Sequence, residues 1–229
     1  MRNEVVLVTG GNRGLGRAFV EEALARGASK VYAAARDPRS VSVPGAVPLA
    51  LDVTDPDSVR RAAAEATDVT VLINNAGIST RASVLHGDLD DIRREFETNF
   101  YGTINVTRAF APVLAANGGG HVLDVHSVLS WISQGTSYSA SKAAVWQATN
   151  AFRLELAPQG TTVTGLHVGY IDTDMAAGVD GPKVTAQDVA RQALDGVEEG
   201  AFEVLADEIT RTVKRGLSAD PAALYPQLV

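Results

Sequence analysis

Short runs of apolar, often β-branched residues alternate with helix-like segments along most of this sequence. Each run is long enough for one strand and is apolar throughout, as is typical of strands buried on both faces of a parallel sheet. Because strands and helices alternate strictly, we predict an α/β fold with a doubly wound, mostly parallel sheet and helices on both faces. The predicted strands cover residues 5–9, 30–35, 47–53, 69–74, 121–127 and 162–168.

The segments between these strands have helical patterns of apolar residues, and a looser stretch follows residue 168. No linker, repeat or low-complexity block interrupts the 229 residues, and 45% of them are hydrophobic, which is enough for one core. We therefore expect a single domain over residues 1–229. The predicted helices cover 14–27, 55–66, 88–117, 137–158, 187–198 and about 207–217, and a seventh strand covers 201–206.

Composition and charge exclude several kinds of function. The formal net charge of −7 argues against a surface that binds nucleic acid. Cysteine is absent, which excludes a thiolate nucleophile, and the four histidines lack metal-ligand spacing. The chain enters its first strand without a signal-peptide pattern, and no apolar stretch reaches about 18 residues. We expect a cytoplasmic protein with no metal, no nucleic-acid partner and no membrane partner.

The sequence VTGGNRGLG, at residues 8–16, follows the first predicted strand and opens the first predicted helix. Glycines at positions 10, 14 and 16 permit a tight turn and a close approach of the backbone to a phosphate. The start of the helix adds unpaired N–H groups and a partial positive charge. The spacing is G-x-x-x-G-x-G rather than the usual G-x-G-x-x-G, but the strand–turn–helix context predicts a dinucleotide-binding turn.

The end of the second predicted strand bears on the choice of dinucleotide. A protein that binds NAD usually has a carboxylate there, whereas this chain has Ala35 followed by Arg36. Arg36 and Arg13 could flank a 2′-phosphate, because a guanidinium presents a planar fork of donors. We therefore prefer NADP(H) over NAD(H), although Asp37 adds a competing charge and both arginines could simply be solvated.

Five motifs occur in order along the chain, and together they resemble those of the short-chain dehydrogenases/reductases, in their single-domain branch. The resemblance covers roughly residues 5–175. It implies a Rossmann fold with a cofactor half at about 1–120 and a catalytic and substrate half at about 121–229, and an NADP(H)-dependent oxidoreductase. The motifs are TGGNRGLG (9–16), LDVTD (51–55), NNAG (74–77), the asparagine of ETNFYGT (97–103), and a serine followed by YSASK (138–142).

The resemblance implies catalytic roles for Asn99, Ser127, Tyr138 and Lys142. Tyr138 would donate a proton to a substrate carbonyl, and Ser127 would hydrogen-bond the same oxygen, with Ser130 as the alternative serine. Lys142 would bind the nicotinamide ribose, and Asn99 would bend its helix and hold a water near the lysine. Since positions four apart share one helix face, we also expect the ammonium of Lys142 to favour the phenolate of Tyr138.

Cofactor contacts are implied at the glycine-rich turn, after four of the strands and at the catalytic pair, with Asp52 and Val53 placed at the adenine. Val168 stands where the family usually has proline, which relaxes the turn beside the nicotinamide. The implied contact residues are Gly10, Asn12, Arg13, Gly14, Leu15, Gly16, Arg36, Asp52, Val53, Asn75, Ala76, Gly77, Tyr138, Lys142, Gly169, Ile171 and Thr173.

The expected substrate is a small carbonyl compound or alcohol, and Trp131, Tyr170 and Met175 could line an open cleft or simply pack. Apolar residues in excess on the helices at 88–117 and 137–158 predict a homodimer or homotetramer. Two other functions are compatible with the fold: a non-catalytic protein that senses NADP(H) or acts as a scaffold, and a lyase or epimerase. The complete set of catalytic residues favours the reductase.

Overall fold

The computed structural model describes residues 1–225 and contains a seven-stranded sheet in the order β3-β2-β1-β4-β5-β6-β7. Every neighbouring pair of strands is parallel, which confirms the predicted fold class. The direction of winding reverses between β1 and β4, so the carboxyl ends of these two strands form the crevice where such folds bind ligands. The strands are β1 (Val5–Thr9), β2 (Lys30–Ala35), β3 (Val47–Ala50), β4 (Val71–Asn74), β5 (Gly120–Val125), β6 (Thr161–His167) and β7 (Glu203–Leu205).

Helices cover both faces of the sheet. The helices are α1 (Gly14–Ala25), α2 (Pro56–Glu65), α3 (Leu89–Phe96), α4 (Gly102–Ala116), α5 (Ser137–Leu156), α6 (Ala186–Glu198), α7 (Glu208–Gly216) and α8 (Pro221–Leu224). Side chains along a strand alternate between the faces, so Val6 and Val8 pack in one core with residues of α1 and α6, whereas Leu7 packs in the other with residues of α2, α4 and α5.

The predicted helix at 88–117 is wrong in one respect, because it is not a continuous α-helix. A wider π-helical turn, Glu97–Tyr101, separates α3 from α4. Asn99 lies within this turn and bonds to the backbone of the neighbouring loop at Ile78. Single π turns of this kind occur frequently at functional sites.

The third strand also ends earlier than predicted, at Ala50 rather than residue 53. The side chain of Asp52 accepts hydrogen bonds from the backbone N–H and the hydroxyl of Thr54, at 2.9 and 2.7 Å. Aspartate commonly forms such local bonds in place of continued sheet pairing. The chain therefore turns toward α2 at this point.

The way each helix begins distinguishes α1 from most of the others. Asp55, Asp88, Thr185 and Asp207 cap α2, α3, α6 and α7 by accepting a bond from a backbone N–H in the first turn. The residue before α1 is Arg13, whose side chain makes no such bond. The first N–H groups of α1 are therefore free to bind another acceptor.

Three of the apolar residues that predicted subunit contacts are buried within the chain's own core: Phe110, Val145 and Phe152. Their apolar character therefore has an explanation without a second subunit.

Within residues 1–225, no helix is both long and apolar enough to cross a membrane.

Candidate active site

The glycine-rich turn between β1 and α1 can be built only with little or no side chain. Gly10 and Gly14 have φ values of +65° and +52°, a left-handed conformation that favours glycine. A Cβ atom on Gly16 would overlap the carbonyl oxygen of Gly10 and lie 2.6 Å from the amide nitrogen of Asn75. With the uncapped start of α1, this turn fits the pyrophosphate of a dinucleotide.

Hydrogen bonds join the turn to the end of β4. The amide of Asn75 donates to the backbone carbonyl of Thr9 at 2.8 Å. The hydroxyl of Thr9 accepts from the backbone N–H groups of Asn75 and Ala76, at 2.9 and 3.0 Å. The carboxyl ends of β1 and β4 are thus held together at the point where the sheet reverses its winding.

The competing negative charge expected at Asp37 is neutralised locally. Arg39 pairs with Asp37 at 2.9 Å, and Asp37 also caps the short turn at 38–40. Arg13 and Arg36 are exposed, and neither forms an ion pair with a carboxylate of the described residues. This arrangement leaves both guanidinium groups available to a phosphate.

Three further predicted cofactor residues of the first half have different local contacts. Asn12 donates to the hydroxyl of Ser40 at 3.0 Å, which connects the glycine-rich turn to the short turn at 38–40, after β2. Leu15 is buried in the core beneath α1. Val53 is also buried, and a Cβ on Gly102 would approach it to 2.7 Å, so Val53 packs against the start of α4.

The segment after β6 lies against the glycine-rich turn. A Cβ on Gly14 would be 3.5 Å from the methyl group of Thr173, which brings the two segments into contact. Val184 bonds to the backbone of Tyr170 and Asp172, so the N–H of Ile171 points away from Val184 and is free for a ligand.

Gly169 differs from the other predicted cofactor residues of this segment. Its N–H donates to the carboxylate of Asp207 at 2.6 Å, and a Cβ there would be 2.9 Å from that carboxylate oxygen and from Ile209. The glycine is therefore required for packing against α7, in addition to any contact with a cofactor.

Lys142 and Asn99 meet at Gly77. The ammonium of buried Lys142 donates to the carbonyl oxygen of Val125, at the end of β5, at 2.7 Å. A Cβ on Gly77 would lie 3.2 Å from Oδ1 of Asn99 and 3.7 Å from Nζ of Lys142. The Asn99 amide group also bonds to both backbone polar groups of Ile78 and to the hydroxyl of Ser141. These contacts use both donors of the Asn99 amide and one of the two lone pairs of its oxygen.

Tyr138 lies one helical turn before Lys142 on α5, and its ring centroid is 5.8 Å from Nζ. The tyrosine is half-buried. Ser127, two residues after β5, caps the turn at 128–130, against which α5 packs, and its Oγ accepts a bond from the N–H of Leu129 at 3.2 Å. A hydroxyl carries one donor and two acceptor sites, so that of Ser127 can still donate.

Ser130 is better explained as a supporting residue than as the catalytic serine. Its hydroxyl accepts a bond from the backbone N–H of Ser127 at 3.3 Å, and the two serines thereby cap the turn reciprocally. The structure therefore assigns the two hydroxyls different local tasks.

Burial dominates the electrostatics of Lys142 and Tyr138. Burial lowers the pKa of Lys142 to about 8, opposed by the negative charge of Asp124. Burial also raises the pKa of the Tyr138 phenol, and the negative charge of Glu95 raises it further.

Two buried acids were missed by the sequence analysis. Asp124, on β5, is fully buried; it accepts bonds from the amide of Asn74 at 2.8 Å and the hydroxyl of Thr149 at 2.6 Å, and burial raises its pKa. Glu95 lies four residues before Asn99. The spacing of four residues could have indicated that Glu95 shares a helix face with Asn99. Asp124 could have been identified as a buried acid because it is the one charged residue in the apolar run VLDV, residues 122–125.

Trp131 packs against one of two buried histidines. The ring of His126 is tilted at 34° to that of His167, with 4.7 Å between ring centroids, and His167 stacks on Trp131 at 4.0 Å. The hydroxyl of Tyr170 donates to the side-chain oxygen of Gln134 at 3.0 Å, whereas the side chain of Met175 is 48% exposed.

Among residues 1–225, no group of three or more His, Cys, Asp or Glu side chains could hold a metal ion.

The fold and this site define a class of protein: an oxidoreductase of the Rossmann type that uses a nicotinamide cofactor. A family model described as short chain dehydrogenase matches residues 4–183. The chain belongs to the short-chain dehydrogenase/reductase family.

Relatives of the chain agree with this assignment. It is 32% identical to Dehydrogenase/reductase SDR family member 7B of Bos taurus over 96% of this chain and 75% of that protein. It is 38% identical to an NADPH-dependent 1-acyldihydroxyacetone phosphate reductase of Schizosaccharomyces pombe, over 55% of this chain and 44% of that one.

Solved structures give the same picture. A crystal structure of a short chain dehydrogenase from Burkholderia cenocepacia in complex with NADP is 40% identical, with a TM-score of 0.94, over 100% of this chain and 99% of that one. A short chain dehydrogenase/reductase from Burkholderia phymatum in complex with NAD has a TM-score of 0.83 at 23% identity, over 93% of this chain and 92% of that one. That second likeness concerns the fold alone.

Proposed function

We propose that this chain is an NADP(H)-dependent oxidoreductase that interconverts a carbonyl group, in a ketone or an aldehyde, and an alcohol by hydride transfer. One observation supports this most strongly. The buried ammonium of Lys142 is fixed to the end of β5 beside Asn99 and Gly77, one helical turn from Tyr138. We further propose that a single domain carries a cofactor half at about 1–120 and a catalytic half at about 121–229.

When bound, the nicotinamide cofactor supplies the hydride to the carbonyl carbon. Tyr138 donates its phenolic proton to the carbonyl oxygen, and Ser127 donates a hydrogen bond to the same oxygen and so stabilises the charge that develops there. Lys142, with three donors of which Val125 takes one, has capacity for the ribose hydroxyls. Asn99 holds the loop after β4 against α5, and a water near it relays the replacement proton.

The preference for NADP(H) over NAD(H) is argued from charge. Arg13 and Arg36 have no carboxylate partner among the described residues, and Arg39 takes up the charge of Asp37. The relative with NADP bound and the relative named as NADPH-dependent support the same choice.

The proposed partners are a small carbonyl or alcohol substrate and further copies of the same chain, as a homodimer or homotetramer. The exposed aromatic Tyr101 and the half-buried Phe96, Phe100 and Trp146 remain available for contacts between subunits. The cytoplasmic location stays a prediction from the sequence.

The proposal is tested by incubating the purified protein with NADPH, and separately with NADH, against a panel of ketones and aldehydes. We expect oxidation of NADPH with several carbonyls and a much smaller rate with NADH at equal concentration. Tight binding of NADPH without turnover of any carbonyl would support the sensing or scaffold alternative. Conversion of a substrate without net change in the nucleotide would support the lyase or epimerase.

A further inference from the structure

Asp207, between β7 and α7, joins two segments that are 38 residues apart in the chain. Its side chain is half-buried, and its two oxygens have different partners. One oxygen accepts a bond from the backbone N–H of Thr210 at 2.8 Å and so caps α7. The other accepts a bond from the backbone N–H of Gly169, just after β6, at 2.6 Å. The same carboxylate therefore begins a helix and holds the segment after another strand.

The backbone at Gly169 is in direct contact with the first turn of α7. A Cβ atom on Gly169 would lie 2.9 Å from the bonded oxygen of Asp207 and 2.9 Å from a methyl group of Ile209. The preceding residue, Val168, does not fix its own backbone angle as a proline would. The contact with Asp207 thus supplies a restraint on this turn that the local sequence lacks.

Helix α7 is itself anchored on the sheet. The guanidinium of Arg211 donates to the carbonyl oxygen of Leu205 in β7 at 2.9 Å. One turn further along the helix, the ammonium of Lys214 pairs with the carboxylate of Glu203, also in β7, at 2.6 Å. Because β7 is paired with β6 along the sheet, Asp207 is presented to Gly169 from a fixed frame.

Beyond Gly169, the segment is held at two further points. Val184 forms backbone bonds of 2.9 Å to the residues on either side of Ile171. The methyl group of Thr173 lies against the glycine-rich turn, 3.5 Å from the position of a Cβ on Gly14. The bond to Asp207 is the one among these contacts that involves a charged group, and charge-assisted bonds are stronger than those between neutral groups.

We propose that Asp207 is a positioning residue for the nicotinamide half of the cofactor. By fixing the backbone of Gly169, it keeps the N–H of Ile171 and the hydroxyl of Thr173 in place for that half of NADP(H). This rests on the proposed function, in which the nicotinamide binds beside this segment. Asp207 acts only through Gly169, so its loss should weaken contacts with the nicotinamide half and spare those with the adenosine half, at the other end of the dinucleotide.

The test separates the two bonds of Asp207. Asp207→Asn keeps one oxygen, which caps α7 as well as aspartate does, but it places an NH2 group against the N–H of Gly169 and so loses that bond. We measure the Kd of NADPH and of adenosine 2′,5′-bisphosphate, which lacks the nicotinamide half, by calorimetric titration without a carbonyl substrate. The Kd of NADPH should rise by about 10-fold, because the contact segment is no longer held in place. The Kd of the bisphosphate should stay unchanged.

Asp88→Asn is the matched control. Asp88 is exposed and caps α3 by accepting a bond from the backbone N–H of Asp90 at 2.8 Å, a task that asparagine performs equally well. The control should therefore leave both Kd values at those of the wild type. If Asp207→Asn fails to fold, Asp207→Ser replaces it, because serine also caps helices well but has a single oxygen on a shorter side chain. The same selective loss of NADPH affinity is expected.

Two results would overturn the inference. One is a wild-type Kd for NADPH in the folded Asp207 variant, and the other is an equal loss of affinity for both ligands, which would show a general disturbance of the fold. If the wild type binds NADPH but reduces no carbonyl, the proposed function fails, and the comparison of the two ligands still decides the role of Asp207. A wild type that does not bind NADPH would contradict both proposals.

Discussion

The ammonium of Lys142 donates a hydrogen bond to the carbonyl oxygen of Val125, 2.7 Å away, and so joins the middle of the catalytic helix to the end of β5. Ser127 follows two residues after Val125, so this one bond sets the distance between the lysine and the turn that carries the serine. It also explains how a lysine can be buried here, since the carbonyl replaces part of its lost hydration.

Burial of Lys142 should appear in the pH dependence of stability. Its pKa is lowered to about 8 in the folded protein, against 10.5 for an ordinary lysine. Between these values the unfolded chain binds the proton that the folded chain has lost, so the free energy of unfolding should rise with pH by at most about 1.4 kcal/mol per pH unit. Urea unfolding of the wild type and of Lys142→Met at several pH values measures this contribution. Parallel curves for the two proteins would contradict it.

Arg36 should contribute to the choice of dinucleotide. Replacing Arg36 with alanine should raise KM for NADPH by about 10- to 100-fold, since charge-assisted hydrogen bonds contribute roughly 1.5–3 kcal/mol, and should change KM for NADH little. Arg17→Ala is the matched control, because that exposed arginine already pairs with Glu21 at 2.7 Å. Equal losses with the two dinucleotides would exclude a contact with the 2′-phosphate.

Gly16→Ala should disrupt the dinucleotide turn. The added methyl group would overlap the carbonyl oxygen of Gly10, which is backbone and cannot move aside. We expect a loss of stability of roughly 1–3 kcal/mol and a large loss of NADPH affinity, measured by chemical unfolding and by fluorescence titration. In the control Gly178→Ala, the methyl group would meet only the flexible end of Arg81, at 3.4 Å, and both quantities should stay close to wild type.

Buried histidines should make the protein sensitive to acid. Burial lowers the pKa of His121 and of His167 to about 4. As the pH falls from about 6.5 to 4, the unfolded chain takes up protons that the folded chain does not, so the free energy of unfolding should decrease. His121→Gln should reduce that slope by up to about 1.4 kcal/mol per pH unit, whereas His86→Gln, at an exposed site, should not. Identical slopes in all three proteins would rule the explanation out.

Local patterns were sufficient to predict the sheet, most helices and the position of the glycine-rich turn. Apolar runs such as 5–9 and 30–35 coincide with their strands because burial on both faces imposes a continuous apolar sequence. Glycine is identifiable in the same way, since Gly10 needs a positive φ that other residues rarely adopt.

Tertiary contacts account for what the sequence did not predict. The π turn around Asn99 depends on the backbone of Ile78, which is 21 residues away in the chain. The buried charge of Glu95 depends on Thr80 and Ser137, and neither pairing has a local signature. The expectation that Lys142 favours the phenolate stays a prediction, because helical spacing indicates a shared face but contains no information on desolvation or on a charge from another helix.

The most direct test of the account is the rate of carbonyl reduction by Tyr138→Phe, with NADPH binding measured in parallel. Removing a general acid should lower kcat by about 100- to 10,000-fold, while the Kd for NADPH stays within a few-fold of wild type, because the change removes only the hydroxyl. Tyr101→Phe, at a tyrosine that is 48% exposed, should keep full activity. Wild-type kcat in Tyr138→Phe would contradict the assignment of Tyr138 as the proton donor.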